Sequence, residues 1–112
     1  MRARAPRWDL EFGMWDLGFA VTSRSVNVTN PLGLHARAAA RFVHLASRFT
    51  SQIRVARDTR VMDGKSIMGI LLLAAARGTT LTITAEGVDE TSAVDALTQL
   101  VESGFGEESC NA

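Results

Sequence analysis

The chain has 112 residues, 46% of them hydrophobic, with 12 Lys and Arg against 12 Asp and Glu and one cysteine. That length fits one domain with a modest core. No apolar stretch reaches the ~20 residues of a membrane-spanning helix, and a lone Cys110 excludes an intrachain disulfide, as expected in a reducing cytoplasm.

The zero net charge hides an asymmetry. Residues 24–77 carry nine Lys and Arg against Asp58 and Asp63, whereas beyond Arg77 there are seven acids and no basic residue. Such a split gives either two ordinary solvated faces or a basic docking face for an acidic partner.

Residues 1–20 read as an appendage, expected to be disordered. Trp8 and Trp15 stand there among charges and glycines without sustained periodicity, and Asp9, Glu11 and Asp16 interrupt any signal-peptide core. The first strand falls at 25–29, where Val26 and Val28 alternate with Ser25, Asn27 and Thr29. Asn30-Pro31-Leu32-Gly33 is a turn. A helix follows over 36–48, with Ala39, Phe42, Val43 and Ala46 as one apolar stripe and Arg37, Arg41, His44 and Arg48 on the remaining surface.

A second strand covers 52–57, Asp58-Thr59 begins a hairpin turn, and a third strand covers 60–62 until Asp63-Gly64 breaks it. Ser66 is a good N-cap for a second helix over 67–75, and Gly78 suits its stop. Residues 80–85 alternate strictly, Leu81, Ile83 and Ala85 against three threonines. The last helix spans 90–103, with Ala93, Leu97, Leu100 and Val101 inward and Asp89 and Glu90 complementing its dipole. Gly104 ends it, and 105–112 reads as a loose acidic tail. The order β-α-β-β-α-β-α predicts an α+β fold of two layers, an open antiparallel sheet with three helices on one face.

Two positions carry chemistry. His35 stands at the entrance of the first helix with Arg37 two residues on. A helix entrance gathers unpaired backbone N–H groups and favours an anion. An imidazole there is either an ordinary surface group or a phosphoryl acceptor, and the planar Arg37 fork suits phosphate oxygens. Ser66 is the second: a phosphate on a helix N-cap is tolerated and would alter a surface without unfolding the domain. The helix after it is apolar on nearly every side, Ile67, Met68, Ile70, Leu71, Leu72 and Leu73. Part of it must be exposed, as a partner site or a dimer interface. His35 and His44 lack the further ligands of a metal centre, and no metal or other cofactor is expected.

The run Gly33-Leu34-His35-Ala36-Arg37, with Ala39-Ala40 and Phe42-Val43, resembles the active-site signature of HPr, the histidine-containing phosphocarrier family of the bacterial phosphotransferase system. Gly64-Lys65-Ser66-Ile67-Met68-Gly69-Ile70 resembles the family's regulatory serine signature, and Thr84-Ala85-Glu86-Gly87 also fits. The likeness covers residues 21–104, between the 1–20 extension and the 105–112 tail. It implies an open-faced sandwich of sheet order 1-4-2-3 and a cytoplasmic, monomeric carrier that is not itself an enzyme.

By the same resemblance, phospho-enzyme I, itself charged by phosphoenolpyruvate, phosphorylates His35 at Nδ1. His35 passes the group to a IIA protein, Arg37 steadies it, and HPr kinase/phosphorylase acts on Ser66. Ala36, Arg41, His44, Lys65, Ile67, Met68 and Leu71 are the implied docking residues. The chain departs from the family at Ala38, where proline is usual, and its 100–108 ending looks like the nitrogen-related, regulatory branch. Two other readings compete: a binding module acting mainly through Ser66, and a nucleic-acid-binding domain using Arg41, Arg48, Arg54 and Arg57.

Overall fold

In a computed structural model that describes residues 21–106, the elements are β1 (Val21–Asn27), α1 (Ala36–Ala46), β2 (Gln52–Arg57), β3 (Arg60–Asp63), α2 (Ile67–Leu72), β4 (Thr80–Glu86) and α3 (Glu90–Glu102). A 3-10 turn, Gly104–Gly106, follows α3. The strands form one antiparallel sheet in the order β1-β4-β2-β3.

Strand alternation sets the layers. Val26, Ile53, Val55, Leu81, Ile83 and Ala85 turn to one face and are buried. Phe42 and Ala39 of α1, Ile70 of α2, and Val94, Leu97 and Val101 of α3 join them in one core. The three helices cover that face, as expected, and the other face is open. There the side chains of β1 and β4 pair across the ladder: the Ser23 and Thr84 hydroxyls are 2.7 Å apart, and the Thr80 hydroxyl donates to Asn27 Oδ1 at 2.8 Å.

The boundaries differ from the sequence reading where distant groups intervene. β1 begins at Val21 rather than at residue 25, because Thr22 and Arg24 pair with Ala85 and Ile83 although nothing at 21–24 alternates toward the core. α2 ends at Leu72 rather than at residue 75. Arg57 Nη1 donates to the carbonyls of Leu73 (2.7 Å) and Ala74 (2.8 Å), and Arg60 Nη1 donates to that of Leu72 (2.9 Å). These guanidinium groups, from β2 and β3, satisfy the terminal carbonyls that a helix leaves open. Ala74 then turns the chain away at φ 51.

The tail also starts later than residue 105. Gly104 (φ 72) reverses the chain and Phe105 is wholly buried. An aromatic ring there gains more from the core than from water, so Phe105 belongs to the fold.

Asp89 does more than complement a dipole. Its carboxylate accepts the Thr50 and Ser51 N–H groups, each at 2.9 Å, and the Ser51 hydroxyl. The Ser51 hydroxyl foremost, then the Thr50 amide, lowers this carboxyl from 3.8 to about 2. Since the folded value lies below the unfolded one, this contribution is present above about pH 4 and is lost as pH falls through about 2. Asp89→Asn is therefore expected to flatten the loss of stability across that window, read as urea midpoints at successive pH values. An unchanged slope would count against the clamp.

Candidate functional site

His35 is the N-cap of α1. Its backbone is extended (φ −85, ψ −179) and its carbonyl accepts the Ala39 N–H at 2.9 Å. An N-cap side chain ordinarily turns back to bond the first turn. The His35 ring makes no such bond and is half-buried. The N–H groups of Ala36, Arg37 and Ala38 have no intrahelical acceptor by the geometry of a first turn. Imidazole, helix entrance and the exposed Arg37 thus lie within one turn.

The loop that presents the ring is braced. The Asn30 side-chain amide donates to the Gly33 carbonyl at 2.7 Å, and the Leu34 N–H donates to the Ala75 carbonyl at 2.9 Å. Gly33 has φ 65, and a Cβ there would lie 2.5 Å from the Ala75 oxygen and 3.0 Å from Ala76 Cα. Both conformation and space require glycine. Gly33→Ala is expected to cost about 1–3 kcal/mol by backbone strain and to displace His35. Urea unfolding gives the first effect, and altered ring proton shifts of His35 give the second.

The other expected residues divide. Ala36 and His44 are exposed on α1. Arg41 is half-buried and donates to the Phe105 carbonyl. Ser66 caps α2 as expected, its Oγ accepting the Gly69 N–H at 3.0 Å. Ile67 and Met68 are exposed, at 45% and 66%. Leu71 instead packs against the core, and Leu72 is exposed at 53% in its place. A helix apolar all round does not reveal its phase, so the sequence could not separate the two. Lys65 donates from Nζ to the Phe49 carbonyl at 2.7 Å, tying down the turn before β2.

Arg41, Arg54 and Arg57 all have partners within the fold: the Phe105 carbonyl, Glu86 at 3.9 Å, and the end of α2. Among the described residues no cluster of three His, Cys, Asp or Glu could hold a metal, and no helix is long and apolar enough to cross a membrane.

Comparison with known proteins matches residues 22–103 to a family described as the PTS HPr component phosphorylation site. A phosphocarrier protein HPr from Cupriavidus necator is 48% identical over 84 residues, 75% of this chain and 94% of that protein. Among solved structures, HPr-C-His from Thermoanaerobacter tengcongensis superposes with a TM-score of 0.74 at 46% identity, covering 76% of this chain and 96% of that one. An HPr dimer from the same organism gives 0.61 at 48% identity, covering 71% and 92%.

Proposed function

Because this chain belongs to the HPr family of phosphocarriers, we propose that it relays phosphoryl groups within the phosphotransferase system, from phospho-enzyme I to a IIA protein. The observation that carries this reading is the His35 ring, seated at a helix entrance without capping it. The Nδ1 lone pair attacks phosphorus on the donor's phosphohistidine, a new N–P bond forms, and the donor's P–N bond breaks, returning the electron pair to its ring. Transfer onward repeats the exchange with a histidine of the IIA protein. Arg37 and the first-turn N–H groups hold the phosphoryl oxygens. Such a protein is a substrate of its partners, not a catalyst.

The same reading makes residues 21–104, extended by Phe105, the carrier unit, acting as a monomer in the cytoplasm. Residues 1–20 lie outside the described chain. Ile67 and Met68 present apolar surface beside Ser66, and Ala36 and His44 flank the histidine along α1. Phosphorylation of Ser66 by HPr kinase/phosphorylase would place the added charge at the start of α2, next to that surface.

The test is incubation with phosphoenolpyruvate and enzyme I, followed by peptide mapping. The expected result is one acid-labile, base-stable phosphate on His35. Phosphate on another residue, or none, overturns the reading.

A further inference from the structure

The surface beside α1 combines a basic stripe with a groove. Positions 37, 41 and 44 recur at helical spacing on α1 and Arg48 follows two residues past its end, so Arg37, Arg41, His44 and Arg48 continue one basic stripe. Among the described residues, the ion pairs are Arg24–Asp95, Arg54–Glu86 and Arg57–Asp58, none of which reaches this stripe. A groove of about 400 Å³ opens along it, lined by Arg41, His44, Leu45 and Arg48 on one side and by Leu100 and Phe105 on the other. Gly106 also lines it, and the next two residues are Glu107 and Glu108.

We propose that residues 107–112 fold back along this groove and pair their carboxylates with the basic stripe of α1. Three observations support that occupant over any other. The chain leaves the described fold at the groove itself. Six residues span up to about 20 Å when extended, whereas the stripe from position 37 to 48 is on the order of 16 Å long. And the segment has no basic residue, while the stripe has no acidic one. A tether this short holds the two together at an effective concentration on the order of mM.

Cys110, the only cysteine, lies within the segment and provides the probe. A nitroxide attached to it in the full chain is expected to broaden the amide signals of residues 44–48 at low salt, at least twofold more than in the Glu107→Gln, Glu108→Gln double variant. Raising the salt to about 1 M, where screening acts over ~3 Å, is expected to erase that difference. Equal broadening in the two proteins at low salt overturns the proposal. Phosphoryl uptake by His35 is not read in this measurement, so its failure leaves the carrier reading untouched, and the reverse also holds.

Discussion

His35→Ala is expected to take up no phosphate from phospho-enzyme I while remaining folded. The separation follows from the cap geometry. The His35 side chain contributes no capping bond to α1 and is only half-buried, so its removal is expected to change stability by about 1 kcal/mol, the usual scale of a point substitution. Its chemistry has no substitute. His44 stands nine positions on, at the other end of α1, away from the first-turn N–H groups. Arg37→Ala is the graded companion: with the nucleophile kept and one charge-stabilising donor removed, transfer is expected to slow by about 10²–10³-fold. Rapid-quench labelling measures both. If His35→Ala labels as wild type does, the relay is not at this histidine.

Phe105→Ala is expected to destabilise the fold by about 3–5 kcal/mol, the usual cost of emptying a buried aromatic site. For a domain of this size that corresponds to a fall in Tm on the order of 15 °C or more. Phe105 is wholly buried in the common core, and its carbonyl is held by Arg41 from α1. The ring thus fastens the end of α3 to the helix that carries His35. Phe105→Leu, which keeps most of the apolar volume, is expected to recover more than half of the loss. A melting temperature unchanged by Phe105→Ala would mean that the ring does not occupy the core.

The strands and helices were legible because their signals are local. Alternation at 80–85 and the stripe through Ala39, Phe42 and Ala46 are properties of neighbouring residues. His35 and Arg37 were legible for the same reason, as one short motif at a helix entrance. What the sequence did not disclose depends on groups far apart in it. The end of α2 is set by Arg57 and Arg60, and the role of Asp89 by Thr50 and Ser51. Phe105 sits alone between glycines, where a single aromatic residue has no period to betray its burial. The reverse failure also occurs: Trp8-Asp9-Leu10-Glu11-Phe12 and Trp15-Asp16-Leu17-Gly18-Phe19 are near-copies seven residues apart. That repeat is local and readable, yet it is lost when the segment is judged only by its charges and glycines. Ala38, in the first turn and wholly buried, keeps α1 intact without the family's proline.

The two arginines at the end of α2 also determine how the domain opens. A helix of six residues does not persist alone in water, and the carbonyls at its end are held by side chains of the β2–β3 hairpin. Helix and hairpin should therefore form one cooperative unit. Amide protons of α2 and β3 are expected to exchange with solvent at matched rates, faster than those of β4 at the centre of the sheet. Neutralising Arg57 should release both segments together. The surface around Ser66 would then be gated by the integrity of a hairpin at the far edge of the sheet.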